Sequence, residues 1–158
     1  MTDALTLIAA ARTWLQTPYR HQASVKGLGA DCVGFLRGAA VEAGVITPEL
    51  AESLPTDYSR QPAGGELRRR MGELLMPAPL ENLRPGDLLL IRFAREDQHV
   101  AMLTVVEPEP YVIHCGRQGV VEHRLDSVWT SRVTRAYRFR GLSPPHPNPL
   151  PAGEGEKM

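Results

Sequence analysis

The 158-residue chain has few of the features that mark several large classes of protein. Its two cysteines, Cys32 and Cys115, are too few for a disulfide-dense scaffold, although the sequence allows one bridge between them. Because 18 Lys and Arg residues balance 18 Asp and Glu residues, no net charge favours general binding to nucleic acid. No apolar run reaches the roughly 18 residues of a membrane helix, so the sequence predicts no membrane insertion.

The N-terminus lacks the features of a secretory signal, and the C-terminus lacks those of a packed segment. Asp3 precedes the first apolar stretch and Arg12 interrupts it, which is not the pattern of a secretory signal, so we expect synthesis in the cytoplasm. A 42% hydrophobic composition suits a single domain, which we place at residues 1–141. Residues 142–158 are rich in proline and poor in apolar side chains, and they predict a disordered tail.

The order of predicted elements gives the fold class. A first helix begins at Thr2 or Asp3 and ends just before Pro18, and a second follows Cys32 and stops at Gly44. A further helix is predicted around Glu66 to Met76. Runs rich in Val, Ile and Leu then predict strands near Asp87 to Phe93, His99 to Val106, Tyr111 to Cys115, Gly119 to Arg124 and Arg132 to Phe139. Helices first and strands second indicate an α+β fold, with N-terminal helices packed on a small antiparallel sheet.

Cys32 is the candidate nucleophile. It stands at the predicted start of the second helix, where free backbone N–H groups and the helix dipole favour a thiolate. Its own amide is placed to hold an oxyanion, and Gly34 keeps the first helical turn uncrowded for a substrate. The alternative is that Cys32 is a small buried apolar residue, which is the commonest fate of a lone cysteine.

Two histidines are candidates for the rest of a catalytic site. His99 opens one predicted strand and His114 lies near the end of the next, so antiparallel pairing across the turn at Pro108 to Pro110 brings them together. One imidazole would take the thiol proton and return it to the leaving amine, while the other holds that imidazole in the required tautomer. His99 is thus the predicted base and His114 its orienting partner.

Other residues carry a plain and a sharper interpretation. His21 and Lys26 are either solvated loop residues or substrate contacts, and the run from Arg68 to Arg70 fits the solvated face of a helix. Cys115 beside His114 suggests a metal site, but the spacing lacks a paired zinc motif, so we predict no metal and no cofactor.

Five motifs in order resemble those of the NlpC/P60 peptidases. They are Thr17-Pro18-Tyr19, Asp31-Cys32-Val33-Gly34, Pro85-Gly86-Asp87-Leu88, His99-Val100-Ala101-Met102 and Val112-Ile113-His114, and they span roughly Leu5 to Tyr137. The run from Thr17 to Gly27 further resembles cell-wall peptidases of phages and gene-transfer agents. The sequence departs from the family at Val33, which is often serine, and at Gln98, which is often glycine.

The resemblance implies a papain-like α+β fold and a Cys32, His99 and His114 triad that hydrolyses an amide bond in peptidoglycan stem peptides. It also implies that Tyr19 and Asp31 line the substrate site, and a helix N-cap is an equally good role for Asp31. A wall enzyme without an export signal would be delivered in a phage-like particle, with tail proteins as partners. Two alternatives keep the fold: acyl transfer at the same Cys-His site, and a non-catalytic structural component of a phage-like tail.

Overall fold

The computed structural model describes residues 2–53, 66–93 and 96–143. Within these ranges, no helix is both long and apolar enough to cross a membrane. The predicted tail from residue 144 onward lies outside the described residues. The α+β prediction is confirmed, because helices come first and pack on one antiparallel sheet.

The helices follow from their caps. α1 spans Ala4–Arg12, α2 Cys32–Glu42, α3 Pro48–Ser53, α4 Glu66–Leu74 and α5 Ser127–Ser131. Asp3, rather than Thr2, caps α1, since its carboxylate accepts the Thr6 amide proton. Gly44, with a φ of 78°, follows the C-cap of α2 as predicted. On α4, Arg68 and Arg69 are exposed, as a solvated helix face predicts, and Arg69 pairs with Glu73, whereas Arg70 is half-buried.

The predicted end of the first helix was wrong. α1 ends at Arg12, well before Pro18, and the chain continues as turns. The Gln16 amide donates to the Val120 carbonyl of a strand instead of continuing the helix, and Gln16 takes a left-handed φ of 73°. The chain thus leaves the helix in turns whose amides bond three residues back, and the bond from Gln16 to a distant strand keeps the helix from resuming before Pro18.

The strands confirm the predicted sheet and add short pairs at its margins. They are β1 Thr2–Asp3, β2 Ser24–Val25, β3 Gly29–Ala30, β4 Met76–Ala78, β5 Leu88–Phe93, β6 Glu96–Val106, β7 Glu109–Gly116, β8 Gly119–Arg124, β9 Val133–Arg138 and β10 Leu142–Ser143. The main sheet has the spatial order β4, β9, β5, β6, β7, β8, with antiparallel neighbours throughout. β10 pairs in parallel with β1, so the last described strand lies just beyond the predicted domain boundary at residue 141.

Two apolar clusters cover the two faces of the main sheet. On one side, Leu90 and Met102 belong to a cluster with Leu7 of α1 and Phe35 of α2. The other side carries a smaller cluster, which Trp129 of α5 helps to cover. Since alternate residues of a strand face opposite sides, both faces of the central strands are buried, and the site lies where α2 meets β6 and β7.

An ion pair with little exposure fixes the start of β5. Asp87, in the Pro-Gly-Asp-Leu motif, is fully buried, and Arg138 of β9 grips its carboxylate with bonds of 2.6 and 2.8 Å. The Arg84 amide also donates to this carboxylate. The motif thus has a structural role, which is to join the turn before β5 to the neighbouring strand.

Candidate active site

Cys32 is the first residue of α2, and Asp31 caps that helix. One carboxylate oxygen of Asp31 accepts the Gly34 amide at 2.8 Å, and the other accepts the Gln22 amide at 2.7 Å. Asp31 is only 3% exposed, so its carboxylate ties the helix start to the preceding loop. The N-cap role of Asp31 is confirmed, and two backbone hydrogen bonds to Asp31 hold the position of the candidate nucleophile.

Gly34 serves this junction differently from our expectation. A Cβ atom at Gly34 would lie 1.9 Å from the carbonyl oxygen of Ala23, in the loop before the nucleophile. Gly34 is buried, and the Ser24 hydroxyl donates to its carbonyl at 2.6 Å. The missing side chain therefore admits the protein's own loop, and the expectation of open space for substrate was wrong.

The Cys32 thiol lies at the end of the β6–β7 ladder. The β6–β7 ladder ends with Met102 opposite Ile113, and the thiol approaches the backbone amide of Val100, two residues before Met102. Because His99 immediately precedes Val100, the fold brings the candidate nucleophile to the strand segment that carries the predicted base.

The protonation state of Cys32 differs from the prediction of a favoured thiolate. Burial, followed by the nearby Asp31 charge, raises the pKa of Cys32 to about 12. The amides of Val100, Val33 and Cys32 act in the opposite direction but do not outweigh burial. The helix start predicted only the smaller influence, which is the lowering of the pKa by backbone amides. Because burial dominates, the resting thiol is neutral at neutral pH.

The two predicted histidines are in direct contact, as strand pairing predicted. His99 Nε2 and His114 Nδ1 lie 2.8 Å apart, with ring planes at 87°. Burial lowers the pKa of His99 to about 4, and burial together with the neighbouring histidines lowers that of His114 to about 3. Both imidazoles are therefore neutral at neutral pH, which is the state that a general base requires.

Sequence reasoning missed a third histidine in the same chain of contacts. His123 Nε2 lies 2.9 Å from His114 Nε2, and His123 Nδ1 lies 2.9 Å from the carbonyl oxygen of Arg124. The turn between Gly116 and Gly119 sets a register that places His123 opposite Val112, diagonal to His114. The length of that turn was the available signal.

Trp129 was also missed, and it covers the histidines. Its ring centroid lies 4.8 Å from that of His114, 4.6 Å from that of His123 and 6.5 Å from that of His99. Asp126 caps the short helix that carries Trp129 by accepting the Trp129 amide proton. An aromatic lid of this kind desolvates the imidazoles, consistent with their lowered pKa values.

The predicted substrate-side residues surround the start of α2. Tyr19 is partly buried against the main core, and its backbone bridges to Ala30, two residues before the nucleophile. His21 Nδ1 lies 3.9 Å from the Asp31 carboxylate. Lys26 pairs with Glu42 at 2.9 Å, so it is engaged by the far end of α2.

The second cysteine has a separate role. Cys32 and Cys115 are both free thiols, so the bridge that the sequence left open is not formed. Cys115 is buried, and its thiol donates to the Ala30 carbonyl at 3.1 Å. In the ranges that the structure describes, no group of three or more His, Cys, Asp or Glu side chains is arranged to hold a metal ion.

The shift of register beside His99 completes the geometry. On β5, Ile91 pairs with His99 but Arg92 pairs with Asp97, so Gln98 is the extra residue of a β-bulge. Bulges commonly redirect a side chain next to an active site. This local irregularity accompanies the departure from the family pattern that the sequence showed at Gln98.

Comparisons with known proteins agree with this architecture. The chain is similar to a lipoprotein-like NLP/P60-family protein from Staphylococcus aureus, with 18% identity and a TM-score of 0.60 over 86% of this chain and 41% of the other. It therefore spans less than half of that protein. It is also similar to the NlpC/P60 domain of the peptidoglycan hydrolase SagA, with 19% identity and a TM-score of 0.57 over 85% of this chain and 97% of the other.

These two similarities show a shared fold, and the sequence itself gives the family. No curated protein is similar enough in sequence to count as a relative. The model of the NlpC/P60 family matches residues 16–138, which include Cys32 and all three contacting histidines. This protein belongs to the NlpC/P60 family.

Proposed function

We propose that this protein is a thiol-dependent hydrolase that cleaves an amide bond in the stem peptides of peptidoglycan. One observation carries the proposal: the Cys32 thiol lies at a helix start beside the backbone amide of Val100, the residue that follows His99, and the His99 imidazole is hydrogen-bonded to His114. A nucleophile, a neutral base and an orienting group for that base are the parts that acyl transfer requires. The peptidoglycan substrate is supported by family membership and by the similarity to the SagA domain.

The reaction begins from a neutral thiol and a neutral imidazole. As the Cys32 sulfur attacks the carbonyl carbon, His99 Nδ1 takes the thiol proton, and an S–C bond forms while the carbonyl oxygen gains negative charge. The backbone amide of Cys32, at the N-terminus of α2, is placed to stabilise that oxyanion. His99 then gives its proton to the departing amine as the amide C–N bond breaks.

Water completes the cycle. The thioester on Cys32 is attacked by a water molecule, from which His99 removes a proton, and the sulfur leaves with that proton returned to it. His114 keeps His99 in one orientation throughout, since its Nδ1 holds the far nitrogen of the base. The net change is hydrolysis of one amide to a carboxylate and an amine.

Tyr19 and Asp31 are the proposed contacts to the substrate peptide. Tyr19 stands at the loop bridged to β3, and Asp31 places a negative charge directly before the nucleophile. Because both Asp31 oxygens already accept backbone amides, its action on a substrate amine would be through its charge over a short distance. An Asp31→Asn variant removes that charge and keeps one capping oxygen.

Incubation with purified muropeptides in water enriched in heavy oxygen tests the reaction class. Hydrolysis predicts new fragments whose carboxylate carries the heavy isotope. If an amine acceptor is added, acyl transfer predicts that the released acyl fragment is joined to that amine and carries no heavy isotope. A folded protein that makes neither product would support the non-catalytic alternative.

Delivery by a phage-like particle remains part of the proposal, as do tail proteins as partners. Its support is the resemblance of the run from Thr17 to Gly27 to peptidases of phages and gene-transfer agents. Peptide mass spectrometry of purified particles should detect this protein in stoichiometric amounts with tail components. Particles that lack it would remove this part of the proposal and leave the hydrolase untouched.

A further inference from the structure

Three imidazoles and one peptide carbonyl form a continuous chain of hydrogen bonds on the last strands of the sheet. The contacts run from Arg124 O to His123 Nδ1, from His123 Nε2 to His114 Nε2, and from His114 Nδ1 to His99 Nε2. The three distances are 2.9, 2.9 and 2.8 Å. Each histidine uses both ring nitrogens except His99, whose Nδ1 remains for the thiol proton.

A proton count gives this chain a direction. A carbonyl oxygen can only accept, so the proton of a neutral His123 must lie on Nδ1. His123 Nε2 is then an acceptor, which requires the proton of His114 on Nε2 and leaves His114 Nδ1 as an acceptor. The proton of His99 consequently lies on Nε2, and His99 Nδ1 carries the lone pair that a base needs.

We propose that His123 is a positioning residue that sets the direction of this chain, so that His99 presents Nδ1 as the base toward Cys32. The inference rests on the proposed function for its catalytic consequence, because a tautomer of His99 matters only if His99 takes a proton. The Arg124 carbonyl is the fixed end of the chain. No side chain has to be charged for it to act.

The opposite direction would disable the base. If His123 carried its proton on Nε2, or if His114 Nε2 had no acceptor, the proton of His114 could lie on Nδ1 instead. His114 Nδ1 would then donate to His99 Nε2. His99 would then carry its proton on Nδ1, where it blocks transfer from the thiol. The lowered pKa values of His99 and His114 support neutral rings, for which these two directions are the alternatives.

The surroundings offer matched variants. Trp129 makes an edge-to-face contact with His123 at a centroid distance of 4.6 Å, so His123→Phe keeps an aromatic ring against Trp129 and removes both nitrogens. His123→Glu loses the ring but supplies an acceptor for His114 Nε2. If His123 serves packing alone, the Phe variant should be the more active one. If it sets the hydrogen-bond direction, the Glu variant should be the more active one.

Two-bond nitrogen–proton NMR correlations report the tautomer of each imidazole at neutral pH, without any need for substrate. The proposal expects the wild-type protein to carry the His99 proton on Nε2, and expects His123→Phe to populate the Nδ1-protonated form. A wild-type His99 protonated at Nδ1, or a folded His123→Phe protein with unchanged His99 signals, would overturn it. The wild-type spectrum decides the direction even if a variant fails to fold.

Muropeptide cleavage supplies the catalytic readout. We expect kcat to fall by at least about tenfold in His123→Phe and to recover in large part in His123→Glu. The reverse order of activity would reduce His123 to a packing residue. An inactive wild-type protein with the expected His99 tautomer would instead count against the proposed function, so the two failures are distinguishable.

Discussion

His99 Nε2 and His114 Nδ1 lie 2.8 Å apart although the two residues are fifteen positions apart in the chain. Their side chains meet between the adjacent antiparallel strands β6 and β7, just beyond the last paired residues, Met102 and Ile113. The hydrogen bond occupies Nε2 of His99, which leaves Nδ1 for the proton transfer that the proposed reaction requires. The pair therefore holds the ring of the proposed base, in the first part of β6, in one orientation.

Removing His114 should therefore impair catalysis more than folding. For His114→Leu we expect kcat on muropeptides to fall by about 100-fold or more, because His99 loses the group that fixes its tautomer. His114→Gln presents an amide oxygen to His99 and should retain more activity than the Leu variant. Circular dichroism checks the fold, and a folded Leu variant with wild-type kcat would show that His114 has no orienting role.

Activity should persist into acid. Since burial lowers the pKa of His99 to about 4, the base stays unprotonated at lower pH than a solvent-exposed histidine would. We expect kcat/KM to rise as pH increases through about 4 and then to stay level through neutrality. An acid limb near the ordinary histidine pKa of about 6.5 would show that His99 is solvated in the working enzyme.

The same pKa values predict how stability changes with pH. In the unfolded chain His99 and His114 bind protons near pH 6.5, whereas in the folded protein they do so only near 4 and 3. The unfolded state thus holds more protons between these limits, and the free energy of unfolding should fall as pH drops through this window. Denaturant unfolding at several pH values measures this dependence.

A double variant provides the control for that measurement. Replacing both histidines, as in His99→Gln with His114→Gln, removes the groups whose protonation differs between the two states. Its free energy of unfolding should depend less on pH between about 6.5 and 4 than that of the wild type. Equal dependence in both proteins would assign the acid sensitivity to other groups.

Gly34→Ala should destabilise the start of α2. The added Cβ would lie 1.9 Å from the Ala23 carbonyl oxygen, so either the loop or the helix must move. We expect a loss of about 3 kcal/mol in the free energy of unfolding. Gly72→Ala on the exposed side of α4 is the matched control, since nothing lies within 4 Å of its added Cβ, and it should stabilise by about 0.5 to 1 kcal/mol. Equal effects would refute the close approach at Gly34.

Arg138→Met should cost far more stability than the loss of an exposed ion pair. It leaves the fully buried Asp87 carboxylate without its charge partner, at a cost of about 3 kcal/mol or more. Arg124→Met removes a pair with Glu109 in which both side chains are largely exposed, and we expect a change of about 1 kcal/mol or less. Similar losses in the two variants would mean that the Asp87 site is hydrated.

Much of the fold could be predicted because hydrophobic periodicity and turn residues are local signals. The five strands after Pro85 and the stop of α2 at Gly44 follow from them. The end of α1 could not be predicted, since the Gln16 amide bonds to Val120 more than a hundred residues later. The role of Gly34 could not be predicted either, because its close neighbour, Ala23, belongs to a loop that no sequence pattern places.

The candidate site was partly predictable. Cys32, His99 and His114 stand at or near the ends of the predicted elements, and their order along the chain predicted that they would lie close together. His123 and Trp129 could not be placed without the register of β8 and the position of α5, which depend on tertiary packing. The raised pKa of Cys32 also escaped prediction, because burial is a property of the whole fold and outweighs the local helix amides.

Muropeptide cleavage by two cysteine variants tests the central claim most directly. Cys32→Ala removes the proposed nucleophile, and Cys115→Ser changes the other free thiol but keeps a donor for the Ala30 carbonyl. With both variants folded, we predict fragments from wild-type and Cys115→Ser protein and none from Cys32→Ala. Undiminished cleavage by Cys32→Ala would contradict the account, because the amide bond would then be broken without the thiol.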